Sequence, residues 1–171
     1  MRDAAIVRIL TPHEWEIYKS LRLQSLVDSP DAFGRSITEV SDRPDAEWAR
    51  LLVPDDGSAT NLPLVAEVDG EAVGLAWGRI VFSSPEVASV YQMWVNPSLR
   101  GRGIGMTLIA KITEWARAKG AIRAELGVTC GDNPARRLYE RAGFEPVGPP
   151  EPLRPASKLM AQPMYLSLSD Q

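Results

Sequence analysis

The segment Arg100-Gly101-Arg102-Gly103-Ile104-Gly105 sets three glycines at alternate positions, just ahead of a run with helical periodicity. Glycine tolerates the backbone rotations that turn successive N–H groups towards one point. A helix N-terminus adds unpaired donors and a partial positive charge. Together these make a cradle for phosphate or pyrophosphate, with Arg100 and Arg102 as cations at its rim. The alternative is a glycine-rich turn with solvated arginines, and glycine spacing alone does not separate the two. Three kinds of cradle compete. A P-loop needs Gly-Lys-Ser/Thr at its end, and Gly105-Met106-Thr107 lacks the lysine. A dinucleotide fingerprint needs Gly-x-Gly-x-x-Gly, and Met106 stands where its last glycine should fall, although Glu125 sits near the distance of a ribose-binding acid. The third pattern, Arg/Gln-x-x-Gly-x-Gly/Ala, fits in full as Arg100-x-x-Gly103-x-Gly105.

Elements on both sides must hold this loop. Residues 87–95 read as a strand closed by Asn96-Pro97. Behind the loop, Leu108, Ile112, Trp115 and Ala116 keep the spacing of one buried helix face, and Gly120 stops that helix. Residues 121–128 form the next predicted strand, 133–142 a short helix ended by Gly143, and 144–147 a short strand. Upstream, residues 5–10 read as a strand. Thr11-Pro12, with Glu14 three residues after the cap, then opens a helix. Its stripe is Trp15, Tyr18, Leu21, Leu23 and Leu26, and it ends before Ser29-Pro30. Residues 30–62 read as irregular, with one or two short helices. Residues 64–68 and 73–80 form a hairpin about Asp69-Gly70, a dipeptide suited to a tight turn. After a proline-rich loop over 146–155, residues 162–168 alternate like a strand, which Pro163 assigns to an edge or a bulge. The order is a mixed α/β pattern without a composition break, so one domain is expected over residues 1–171.

Composition narrows the classes. Apolar residues make up 44% and charged residues 24% of 171, so the chain has material for a core. A net charge of −3 argues against a dedicated nucleic-acid binder. Cys130 and His13 are the only residues of their kinds, which excludes an intrachain disulfide and makes metal centres hard to build; no catalytic metal is expected. The longest uncharged run, residues 87–99, is short of the about 20 apolar residues of a membrane span, and the charged start at Met1-Arg2-Asp3 is unlike a leader. A cytoplasmic location without membrane partners is the expectation.

The glycine loop is accompanied by two further blocks. Met93-Trp94-Val95-Asn96-Pro97 precedes it, and Asn133-Pro134-Ala135-Arg136-Arg137-Leu138-Tyr139-Glu140-Arg141-Ala142-Gly143-Phe144 follows about thirty residues on. With these blocks the chain resembles the Gcn5-related N-acetyltransferase (GNAT) superfamily over roughly residues 90–148. The predicted strand order extends the resemblance to the whole chain, and Ser29-Pro30-Asp31-Ala32-Phe33-Gly34 with Trp48 is similar to many bacterial members.

The resemblance implies the GNAT acyl-CoA N-acyltransferase fold: a mixed, mostly antiparallel central sheet with splayed strands, flanked by helices. It implies acetyl-CoA as co-substrate. Backbone groups of Met93, Trp94 and Val95 would pair with the pantetheine arm as a false strand. The backbone of Arg100, Gly101, Arg102, Gly103, Ile104 and Gly105 would hold the pyrophosphate. Asn133 matches an asparagine near the pantetheine arm, and is equally suited to cap the helix before Pro134. Arg136 and Arg137 would meet coenzyme phosphate or stay solvated. Tyr139 matches the tyrosine whose hydroxyl points at the thioester sulfur and would serve as general acid; the alternative is a core tyrosine. The pattern departs at Ser89, where histone-modifying relatives carry a glutamate base. Glu86, Tyr91 or a water chain would then serve, or the amine would arrive neutral. Cys130 reads as a small hydrophobe rather than a nucleophile, His13 as a surface residue, and Phe33 as part of the loop lining acceptor sites.

The implied reaction is direct transfer of an acetyl group to a primary amine of a small molecule or peptide, since no Ser–His or Cys–His pair is evident for an acyl-enzyme. The competing class is a non-catalytic coenzyme-A-binding sensor or structural module on the same fold; a nucleotide-binding α/β protein is the other rival. Family members often pair as dimers, and residues 162–168, read as an edge, would offer a homodimer surface that Pro163 would equally blunt.

Overall fold

The computed structural model describes residues 4–169, so the charged residues at positions 1–3 lie outside the described residues. The strands are β1 (Ile6–Ile9), β2 (Ala59–Val68), β3 (Glu71–Val81), β4 (Val87–Val95), β5 (Arg123–Thr129), β6 (Glu145–Pro146), β7 (Glu151–Pro152) and β8 (Met160–Ser167). The helices are α1 (Trp15–Asp28), α2 (Ile37–Ser41), α3 (Asp45–Leu51), α4 (Ile104–Ala118) and α5 (Pro134–Arg141). The strands form one sheet in the order β1-β2-β3-β4-β5-β8-β6, with β7 also on β8. Every pairing is antiparallel except β4 with β5, which α4 connects as a crossover. The β2–β3 turn uses Asp69 and Gly70 at φ 53° and 80°, the left-handed pair expected of this dipeptide.

Helices cover both faces of the sheet. On one face Leu108, Ile112 and Ala116 of α4, completed by Ile104 and Ile109, pack on Leu64, Ala76, Val90 and Leu126. On the other, Tyr18, Leu21 and Leu26 of α1 join Trp48, Leu75 and Trp77. Trp94 belongs to this second core, not to the face of Val90. The reason is a bulge: Gln92 takes φ 54°, the β3–β4 register shifts between Leu75 and Trp77, and the alternation of β4 is reversed beyond it.

The C-terminal strand corrects the expectation of an exposed edge. β8 lies inside the sheet, paired with β5 along Arg123–Thr129 on one side and with β6 and β7 on the other. The proline-rich stretch folds back to supply those two short partners. Pro163 is neither an edge nor a bulge residue; it stands opposite Gly127, and its carbonyl accepts from Val147 at 2.9 Å. In an antiparallel strand a residue's N–H and C=O point the same way, so the missing donor of Pro163 faces the passage from β6 to β7, where no ladder bond needs it. On the side away from β5, Met160 and Ala161 are thus paired with β7, and Met164 and Tyr165 with β6.

Candidate active site

β4 and β5 pair only at Val87–Arg123, Ala88–Ala124 and Ser89–Glu125. Beyond that rung they diverge, and residues 90–95 of β4 have no partner on β5. A parallel pair that opens this way leaves backbone N–H and C=O groups facing a gap. The gap is a cleft of about 1350 Å³. Its walls come from β4 (Tyr91, Met93, Val95), β5 (Leu126, Val128) and the start of α4, and Phe33 lines it too. The segment carrying Phe33 is strapped across the opening: Thr129 Oγ1 donates to the Asp31 carbonyl, and Arg154 donates to the Pro30 carbonyl.

The glycine loop ends the cleft at the open end of β4. Gly101 and Gly103 have φ of 78° and 82°, and a side chain on either would extend into open space rather than into protein. Gly103 is also the N-cap of α4, whose first N–H groups point out of the helix end. Gly105 has a different task. A Cβ there would lie 2.9 Å from Leu138 Cδ2, so its bareness lets α4 approach α5. The cations differ from the expected rim. The Arg100 guanidinium turns back to the Val95 carbonyl (2.9 Å) and the Asp28 carboxylate (2.8 Å), and Arg102 is exposed outside the cleft lining. Trp94 Nε1 donates to the same Asp28 oxygen at 2.9 Å and its backbone pairs with Leu75 of β3, so the backbone left for a ligand in the cleft is that of Met93 and the N–H of Val95. The indole donor, Ser29 and Arg100 hold the Asp28 carboxyl below its usual range.

The block around α5 meets the cleft from the other side. Asn133 caps α5, accepting from Arg136 N at 2.9 Å and donating to the Thr129 carbonyl at 2.9 Å. Arg136 pairs with Glu140 at 2.9 Å and Arg137 with Asp132 at 2.6 Å; neither arginine lines the cleft. Tyr139 does line it. The ring is buried against Phe144, with centroids 6.0 Å apart. Its hydroxyl makes no hydrogen bond among the described residues and is not a sealed, unpaired atom, so it opens onto the cleft. Burial pushes the phenol pKa well above its ordinary value, which keeps the proton on oxygen.

Ser89 and Glu125 sit opposite one another on the last paired rung, and both line the cleft. Glu125 is ion-paired with Arg123 at 2.8 Å. Tyr91 lines the cleft as well, whereas Glu86 is exposed beyond the paired end and does not. Cys130 is half-buried at the wall, and His13 is exposed on a 3-10 turn far along the chain. No group of three or more His, Cys, Asp or Glu suited to a metal occurs among the described residues. None of their helices is long and apolar enough to cross a membrane.

The acetyltransferase (GNAT) family model matches residues 23–144, from within α1 through α5. The chain belongs to the GNAT family. An uncharacterised N-acetyltransferase from Methanocaldococcus jannaschii is 38% identical over 86 residues, covering 47% of this chain and 38% of that protein. The L-2,4-diaminobutyric acid acetyltransferase of Nocardia farcinica is 39% identical over 90 residues, 53% of this chain and 45% of that protein. The GNAT chain thus spans less than half the length of these curated relatives. Among solved structures, the paia N-acetyltransferase from Thermoplasma acidophilum in complex with coenzyme A superposes with a TM-score of 0.74 at 16% identity, covering 96% of this chain and 99% of that one. The open, mostly antiparallel sheet flanked by helices is the GNAT fold.

Proposed function

We infer that the protein is an N-acetyltransferase that moves an acetyl group from acetyl-CoA to a primary amine. The observation that carries this reading is the parting of β4 from β5 over a cleft that has the Gly101–Gly105 backbone at one end and the Tyr139 hydroxyl on its wall. The cleft fits the coenzyme. Unpaired backbone of β4 offers a strand edge to the amides of pantetheine, and the left-handed glycines leave the loop bare for a pyrophosphate. Acetyl-CoA supplies an acetyl group already activated as a thioester.

The chain's own residues do the rest. Met93 presents its backbone donor and acceptor and Val95 its N–H, while the Trp94 indole, Asp28 and Arg100 lock the end of β4 to α1. Asn133 fixes the turn from β5 into α5 and thereby sets the place of Tyr139. Tyr139, kept protonated by burial, donates its proton to the departing coenzyme sulfur. Arg136 serves the outer face of α5 through Glu140. The test is calorimetric titration with coenzyme A and with NAD, together with thiol release from acetyl-CoA over amino acids, polyamines, aminoglycosides and peptide N-termini. Coenzyme A binding with thiol release on at least one amine is expected. Binding without release on any amine would favour a coenzyme sensor, and binding of NAD in preference would overturn the reading.

A further inference from the structure

Arg22 projects from α1 into the second core and is 4% exposed. Among the described residues its guanidinium has neither a hydrogen bond nor an ion pair, and Nη1 is sealed from solvent without a partner. The guanidinium carbon lies over the Phe33 ring, 4.8 Å from its centroid. A ring face attracts a cation but accepts none of the directed N–H bonds that arginine offers. An unpaired buried charge is costly, and an arriving oxyanion would relieve that cost.

The surroundings show what sign that partner has. Arg22, Arg35, Tyr91 and Gln92 line both the cleft and a second hollow of about 550 Å³ beneath α2 and α3, so the two spaces join at the bulge of β4. Arg43 and Arg50 add cations to the hollow. Its two carboxylates are outnumbered: Asp56 is bound to Arg79 at 2.7 Å, which leaves Glu47 alone against the guanidiniums of Arg22, Arg35, Arg43 and Arg50. Arg35 reaches an acid only at 4.0 Å, on Glu39. Phosphates held at the glycine loop would lie at the far end of β4, so Arg22 is not part of that cradle.

We propose that this hollow is the acceptor subsite and that it selects amines carrying an oxyanion, a carboxylate or a phosphate, which Arg22 grips as a fork while the amine points to the cleft. The planar guanidinium suits either oxyanion through paired N–H bonds. This inference rests on the acetyl-transfer reading for its chemistry, and its test separates the two. Matched pairs differ in one oxyanion group: each common α-amino acid beside its carboxamide, and O-phosphoethanolamine beside ethanolamine. Binding is read by calorimetry with coenzyme A present, and transfer by thiol release. At least one anionic member should exceed its neutral partner by about 30-fold or more, and the family of pairs that does so names the oxyanion. Arg22→Gln should bring that pair within about threefold while coenzyme A affinity is unchanged. Should that variant not fold by circular dichroism, Arg22→Lys takes its place and should weaken the preference by about tenfold, because an ammonium lacks the fork. Absence of transfer on every amine sinks the acetyltransferase reading alone, since calorimetry still decides the subsite. If every pair binds alike in the wild type, or a preference survives Arg22→Gln or Arg22→Lys undiminished, the subsite does not exist.

Discussion

The Tyr18 hydroxyl donates to Gln92 Oε1 across 2.8 Å, joining the middle of α1 to the one left-handed residue of β4. A non-glycine residue at positive φ carries strain that its surroundings must outweigh. Here the outcome is useful: beyond Gln92 the strand turns Trp94 towards α1 and leaves Met93 and Val95 on the α4 face. Tyr18→Phe removes the donor and keeps the ring between Trp48 and Trp77. A stability loss of about 1 kcal/mol is expected in denaturant titration, at the level of one hydrogen bond to a half-exposed amide. A wild-type midpoint would show that the bulge stands without it.

Tyr139→Phe should lower kcat for thiol release by about 10- to 1,000-fold with coenzyme A affinity within about threefold, because the lost proton donor acts mainly in the transition state. Unchanged kcat with chemistry rate-limiting would remove Tyr139 as the acid.

The same phenol makes a stability prediction. Burial raises the pKa of Tyr139 and of Tyr18 in the folded chain, while unfolded tyrosine titrates near about 10. Below that pH both states hold the proton and stability is full. Above it the unfolded chain releases protons that the folded one retains, so stability falls as pH rises. Chemical denaturation between pH 8 and about 11 checks this, and Tyr139→Phe should flatten part of the decline.

Glu14 takes the opposite sign. Hydrogen bonds from Arg8 at 2.8 and 2.6 Å, and from Thr11 N, pull its carboxyl down to about 2. A depressed folded pKa stabilises above the unfolded value, and the benefit is lost as pH falls towards 2. Glu14→Gln should cost about 1–2 kcal/mol at pH 7, discounted for partial exposure, and almost nothing at pH 2. A cost independent of pH would mean that charge is not the cause.

Gly103→Val places a branched side chain at φ 82° and on the bare face of the loop. Coenzyme A affinity should fall by more than about tenfold in calorimetry, with α4 retained by circular dichroism. Binding at wild-type strength would remove this loop as the cradle.

Local signals carried much of the fold. α4 is long and strongly periodic, β4 is an uncharged β-rich run, and, bounded by Gly120 and by Asn96-Pro97, both form over the expected residues. β7 was missed because Glu151–Pro152 has no strand character of its own; β8 recruits it. The interior place of β8 was hidden by Pro163, whose cost depends on which neighbour its absent N–H faces. Nothing in Val90-Tyr91-Gln92 announces a bulge that depends on Tyr18, 74 residues away. Arg22 was legible in part: it falls four residues after Tyr18 and four before Leu26, on the stripe that a helix turns inward. The Asp28 link to Trp94 and Arg100 carried no local signal, because it joins three elements that only the tertiary fold brings together.

The place of β8 also governs the order in which the sheet can be assembled during synthesis. Along residues 126–129, β5 has no strand neighbour except β8, because β4 has already parted from it. One wall of the cleft therefore lacks support until residues 160–167 leave the ribosome. Until then β5 exposes two bare edges along residues 126–129, one lasting and one temporary, and both are open to stray strand pairing.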